Sequence, residues 1–212
     1  MSKWLPGRLG LNVGLARQSL GLAGLVTGLA LLATSCASPP LTLYTLDVPS
    51  AAAPSSLRSN PAVVVEVRRV SIPDYLDSED ILLRKGNVLA RSSRGRWATR
   101  LSLGITHFLA ARLAQRRPDA FVTDQLQDAP DDRISVTINQ LDVTSAGSGM
   151  LDADWQTIPR DPRQPSRRAR GRFTANGPVA TDQDVVTLMT NLLLQLADAM
   201  DVPRQQVRRS PP

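Results

Sequence analysis

LDADWQTIPRDPRQPSRRARGRF, residues 151–173, alternates apolar and polar residues on both sides of a Pro-rich centre. If Pro159 to Pro165 is the connecting loop of a hairpin, residues whose numbers sum to 324 face each other. Asp152 then opposes Arg172 and Asp154 opposes Arg170 on one face, while Leu151 opposes Phe173, Ala153 opposes Gly171 and Trp155 opposes Ala169 on the other. One face is charged and paired, and the other is apolar.

The neighbouring segments extend this pattern. Ile134, Val136 and Ile138 alternate with Ser135, Thr137 and Asn139, as in a half-buried strand with one wet face. Leu141 and Val143 sit on the opposite parity, which predicts a bulge at Asn139 or Gln140. Val63 to Val67 is a β-branched run suited to a central strand that ends before Pro73. Ile81 to Leu83 and Val88 to Ala90 flank Arg84-Lys85-Gly86-Asn87, where Gly86 and Asn87 tolerate positive φ, so a second hairpin is expected. Ser92 to Arg96 reads as a polar loop, and Leu41 to Leu46 as a short strand. Pro49 to Pro61 reads as a surface loop rich in Pro, Ala and Ser.

Two helices complete the set. Leu101, Ile105, Phe108, Leu109 and Leu113 form one stripe, with Arg116 and Arg117 at the C-terminal dipole and Pro118 as the stop. Thr181 and Asp184 have capping-box spacing ahead of a second stripe at Val185, Leu188, Met189, Leu192 and Leu196. The expected fold is α+β: a mostly antiparallel β-sheet packed by two amphipathic helices in one domain.

The chain has 212 residues, 42% hydrophobic and only 4% aromatic, with one Cys and one His. That inventory leaves no disulfide framework, zinc cluster or Cys/His nucleophile pair to build, so neither metal nor cofactor is expected. No G-x-x-x-x-G-K or G-x-G-x-x-G loop occurs, which argues against nucleotide hydrolysis. His107 lies off the apolar stripe of its helix and reads as solvated. Asp77, Glu79 and Asp80 read as a solvated loop rather than a catalytic carboxylate pair.

The amino terminus carries Lys3, Arg8 and Arg17, then the uncharged run LGLAGLVTGLALLA at 20–33, then Thr34, Ser35 and the single Cys36. This is the layout of a secretory signal over residues 1–35. The small residues before Cys36 resemble the lipobox of bacterial lipoproteins, in which the Cys sulfur receives a diacylglyceryl group and becomes the acylated N-terminus. Two other outcomes stay open: a secreted protein with a free thiol at its tip, and an uncleaved membrane anchor. Each buried methylene contributes about 0.8 kcal/mol, so two or three acyl chains would hold the body stably on a bilayer. The absence of Asp at Ala37 resembles lipoproteins sorted to the outer membrane.

The formal net charge is +6, and residues 1–35 contribute three of those basic groups with no acid. Most of the rest lies in Arg160, Arg163, Arg167, Arg168, Arg170 and Arg172. Arg forks match phosphate oxygens, but a signal-bearing lipoprotein does not ordinarily meet nucleic acid. Arg160, Arg163, Arg167 and Arg168 are therefore candidates for anionic lipid headgroups or an acidic partner surface, against a reading as a solvated, cross-strand-paired segment.

Leu43-Tyr44-Thr45-Leu46, Val70-Ser71-Ile72-Pro73-Asp74-Tyr75-Leu76-Asp77, then Ile81, Arg84, Asn87, Leu89 and Arg96-Trp97-Ala98 resemble, in order and spacing, the PqiC (YmbA) family of ABC-type transport auxiliary lipoproteins. The resemblance implies an auxiliary domain over residues 36–202 followed by a flexible tail at 203–212. It also implies a non-enzymatic outer-membrane lipoprotein facing the periplasm, part of a lipid-transport system. Its expected partners are an MCE-domain protein and the ABC-type transporter behind it. Ring symmetry in such a partner would favour a homo-oligomer. Pro73, Asp74, Tyr75, Leu76, Arg96 and Trp97 are the candidate partner-binding residues. For Tyr75, Leu76 and Trp97 a core role competes with an interface role. A second functional reading is a carrier lipoprotein that holds an acyl chain in its own apolar pocket.

Overall fold

In a computed structural model of the chain, residues 40–47 and 63–200 are described. The segment expected to be a signal, Cys36, the loop expected at Pro49 to Pro61 and the tail expected at 203–212 lie outside them.

The 151–173 hairpin has the expected register throughout. β7 (Ser148–Pro159) pairs antiparallel with β8 (Arg167–Asn176), with Leu151 opposite Phe173, Asp152 opposite Arg172 and Trp155 opposite Ala169. On the far side β7 pairs with β6 (Asp132–Val143), whose register shifts between Ile138 and Gln140. The extra residue is Asn139, which resolves the parity change in the sequence.

Val65, Val67, Ile134, Val136, Ile138, Leu141, Leu151 and Ala153 all turn into one core. β2 (Val63–Val67) lies between β6 and the short β5 (Ala120–Thr123) and runs parallel to both, so the sheet order is β5-β2-β6-β7-β8. β5 has no counterpart among the expected strands. It is four residues long between Pro118 and an Asp/Gln-rich stretch, too short for a period-2 signal, and a helix connection to β2 creates it.

A second sheet, of order β1-β4-β3, holds β1 (Thr42–Tyr44), β3 (Asp80–Lys85) and β4 (Val88–Trp97). β3 and β4 form the expected hairpin with Gly86 at φ +59°. β4, however, continues through Ser92 to Arg96, which corrects the expected loop. Asp80 faces Arg96 while Leu82 faces Arg91, so β4 accommodates several extra residues opposite a short stretch of β3. The Ser92 hydroxyl accepts from the Arg94 and Gly95 amides at 3.2 and 2.8 Å and holds that excursion. The strand then resumes by pairing in parallel with β1. The expected α+β fold is present, with its strands divided between two mixed sheets. The antiparallel ladders remain the long ones, and the parallel ladders are three or four pairs each.

Helices α1 (Leu101–Arg116) and α2 (Asp182–Met200) both pack on the five-stranded sheet and bury their predicted stripes. α2 starts with the reciprocal capping box: Thr181 N–H donates to Asp184 Oδ2 at 2.9 Å and Asp184 N–H to Thr181 Oγ1 at 3.2 Å.

The β6–β7 turn sets a strict requirement at Gly147. Its φ is +83°, and a Cβ there would lie 2.5 Å from the Gly177 carbonyl oxygen. Gly147→Ala is expected to lower stability by about 2–3 kcal/mol, because backbone strain and a backbone clash coincide. Gly86→Ala meets open space and should cost only about 1 kcal/mol. Paired urea melts check the contrast, and equal losses would refute it.

Candidate docking surface

The Pro73–Asp80 segment is a folded device whose parts do different work. Leu76 N–H donates to Pro73 O at 2.9 Å and Asp77 N–H to Asp74 O at 3.2 Å, which makes a turn. That turn drives Leu76 into the core, leaves Tyr75 44% exposed and aims Asp77 at the start of α1. The cap residue of α1, Arg100, supplies no side-chain cap. Asp77 does it from a distance: Ser102 N–H donates to Asp77 Oδ1 at 3.4 Å, and Leu101 N–H donates to Ser78 O at 3.1 Å. Arg69 and Arg100 reach the same carboxylate at 3.4 and 3.6 Å. Desolvation pushes the Asp77 pKa up, but the Ser102 hydrogen bonds and the two guanidiniums outweigh it and hold it below the ordinary value.

Arg96-Trp97-Ala98 closes the same corner. Trp97 N–H donates to Glu79 O at 2.7 Å and Ala98 N–H to Tyr44 O at 2.8 Å, while Arg96 Nε pairs with Asp80 at 3.2 Å. Leu76 and Trp97 are 2% and 3% exposed. They belong to the core, which corrects their candidacy as partner-contacting residues. A short turn and a resumed strand each point one large apolar side chain inward, and burial is worth about 1.5–3 kcal/mol for such a group. Pro73, Asp74, Tyr75 and Arg96 stay partly or fully exposed.

Tyr75 packs beside a buried ion pair that ties the two sheets together. Arg84 on β3 donates through Nη2 to Asp142 Oδ1 at 2.8 Å, and Gln140 Nε2 donates to Asp142 Oδ2 at 2.7 Å. The Asp142 side chain is 6% exposed. Desolvation and the Asp142 charge raise the Tyr75 pKa, with Arg84 opposing. The spacing of these residues gives no hint that they meet, because 58 residues separate Arg84 from Asp142.

Both helices pack on the five-stranded sheet, and the face of β6, β7 and β8 turned away from them is open to solvent. Its outer residues include Ser135, Thr137, Asp154, Gln156, Arg168 and Arg170, and they line an open groove of about 580 Å³. Arg170 grips Asp154 with Nε and Nη2 at 2.7 and 3.0 Å, and Arg172 reaches Asp152 at 3.0 Å. The bulged Asn139 donates to both carboxylates. Arg160, Arg163, Arg167 and Arg168 are all exposed.

The Arg and Asn139 hydrogen bonds hold the Asp152 and Asp154 pKa values below the ordinary range. A carboxylate with a depressed folded-state pKa stabilises above its unfolded pKa, about 3.9, and loses that contribution as pH falls through the folded value. The double variant Asp152→Asn/Asp154→Asn should therefore melt below wild type at pH 7, and the gap should close as pH falls through the folded-state values. Melting curves over that range check it, and a constant gap would contradict it.

An apolar cavity of about 150 Å³ lies beside β1, lined by Tyr44, Leu46, Trp97, Leu101, Gly104 and His107 among others. Drug-sized ligand pockets run to about 300–1,000 Å³, so this one takes at most the tip of an acyl chain. His107 is exposed, as expected, with its Nδ1 2.5 Å from Asp124 Oδ2. No cluster of three or more His, Cys, Asp or Glu side chains fit to hold a metal occurs among the described residues. No helix among them is long and apolar enough to cross a membrane.

Residues 44–201 match the family model described as the ABC-type transport auxiliary lipoprotein component, and the chain belongs to that family. Two solved structures share the fold. One is an uncharacterized protein, 16% identical, with a TM-score of 0.63 over 76% of this chain and 97% of its own. The other is a Xanthomonas campestris protein of the DUF330 family, 13% identical, with a TM-score of 0.57 over 75% of this chain and 92% of its own. No curated protein matches the chain.

Proposed function

We propose that the protein is a lipid-anchored, non-enzymatic accessory of an MCE/ABC-type lipid-transport system, held at the outer membrane by acylated Cys36 and docking the transporter's periplasmic component. The observation that carries this reading is the family match, which begins at residue 44, eight positions after a lipobox-like Cys. Three surface features suit docking. The exposed edge of the 73–75 turn presents Tyr75, the bare sheet face presents a polar groove, and the 160–168 arginines offer positive charge to an acidic partner. The small size of the cavity at β1 favours docking over carriage of a whole acyl chain.

The test is affinity capture of the acylated protein from solubilised membranes, with mass spectrometry of what co-purifies. Recovery of an MCE-domain or ABC component supports the reading. Repeated capture without either one overturns it.

A further inference from the structure

The leucines at the start of the described body are largely exposed. Leu41 is 61% exposed and Leu43 is 65% exposed, at the outer edge of the three-stranded sheet. Register explains why. Tyr44 pairs with Trp97 and turns toward the core, so Leu43, opposite Arg96, must turn the other way. The same outer face carries Asp80, bound by Arg91 at 3.0 Å and by Arg96 at 3.2 Å. Arg94, next to the Gly95 that pairs with Thr42, is exposed. The other nearby carboxylate, Asp182, accepts from Ser92 Oγ at 2.8 Å. Two exposed leucines therefore stand near Arg91, Arg94 and Arg96, of which Arg91 and Arg96 already bind Asp80.

Where the tether attaches decides what meets this face. Five residue steps separate Cys36 from Leu41, and an extended chain spans at most about 18 Å over that length. With Cys36 acylated, Leu41 can never be farther than that from the membrane, so contact between this face and the bilayer becomes an intramolecular event. Apolar side chains flanked by arginine suit the boundary between headgroups and acyl chains, where anionic lipids attract the guanidiniums. We propose that the outer face of the three-stranded sheet, through Leu41, Leu43 and Arg94, rests on the bilayer that holds the acylated Cys36 and so fixes the orientation of the body. The proposal rests on the anchoring reading above.

Cys36 is the only cysteine in the chain, and acylation converts its sulfur to a thioether. Leu43→Cys or Val88→Cys therefore introduces the sole free thiol of the acylated protein. Val88 is 63% exposed at the opposite end of β4 and serves as the control. Each variant is labelled with an environment-sensitive fluorophore and reconstituted into phosphatidylethanolamine/phosphatidylglycerol vesicles with brominated acyl chains. The probe at 43 should lose roughly half its emission relative to unbrominated vesicles, and the probe at 88 should lose almost none. Equal quenching at both positions, or none at 43, in protein that floats with the vesicles and carries its acyl groups by mass spectrometry, overturns the proposal and leaves the anchor intact. A spectral change at 43 that grows with protein density and is indifferent to bromine points to a second copy of the chain and also overturns it. An unmodified Cys36 removes the anchoring reading, and the proposal falls with it.

Discussion

Replacing Cys36 with alanine is expected to move the protein almost entirely from the membrane fraction to the soluble periplasmic fraction. The size of the effect follows from acyl-chain burial. At about 0.8 kcal/mol per methylene, one chain binds only marginally and two or three bind stably, so loss of all of them removes the main attraction to the bilayer. Leu41, Leu43 and Arg94 are too few to retain the protein alone. Fractionation of cells expressing Cys36→Ala, followed by flotation of the released protein with vesicles, measures both. Persistent membrane association of the variant would instead mean that the segment around residues 20–33 remains uncleaved and embedded.

The second large effect concerns stability. Asp142→Ala is expected to destabilise the fold by about 3 kcal/mol, because removal of one partner of a buried ion pair leaves the other charge poorly compensated. Asp142 is 6% exposed and receives both Arg84 and Gln140, while the Arg84 side chain is 28% exposed, so some water reaches the orphaned guanidinium and keeps the loss at the low end. Among the described residues Arg84 Nε has no hydrogen-bond partner. Equilibrium denaturation of Asp142→Ala, with Arg84→Met/Asp142→Leu beside it, checks the account. The double variant should recover much of the loss, since an apolar pair of similar volume strands no charge. A double variant as unstable as the single one would show that the ion pair does more than compensate itself.

Comparison of these residues with their patterns shows how the chain encodes its fold. The 151–173 hairpin, the Asn139 bulge, the Gly86-Asn87 turn and the Thr181/Asp184 box were all legible, because each depends on residues within about twenty positions of one another. The family resemblance was legible as well, through Pro73-Asp74-Tyr75-Leu76 and Arg96-Trp97-Ala98. What those motifs do was not. Leu76 and Trp97 are core residues, and the residue that caps α1 is Asp77, just after the first motif, whose role appears only when α1 arrives with an uncapped Ser102 amide. The bare sheet face was half legible: alternation showed that one side is polar, but not that both helices choose the other.

Sequence alone therefore determined the lipobox-like Cys36, both amphipathic helices, the β6 strand with its bulge, and the β7–β8 hairpin with its register. Period, turn chemistry and capping act over short separations and leave their marks in residue order. Only the tertiary structure decided that β4 runs through Ser92 to Arg96, that β5 exists, that the strands divide into two mixed sheets, and that Arg84 meets Asp142. Parallel pairing and burial join segments that are distant in the chain, and their energy comes from water excluded between surfaces that no local pattern names.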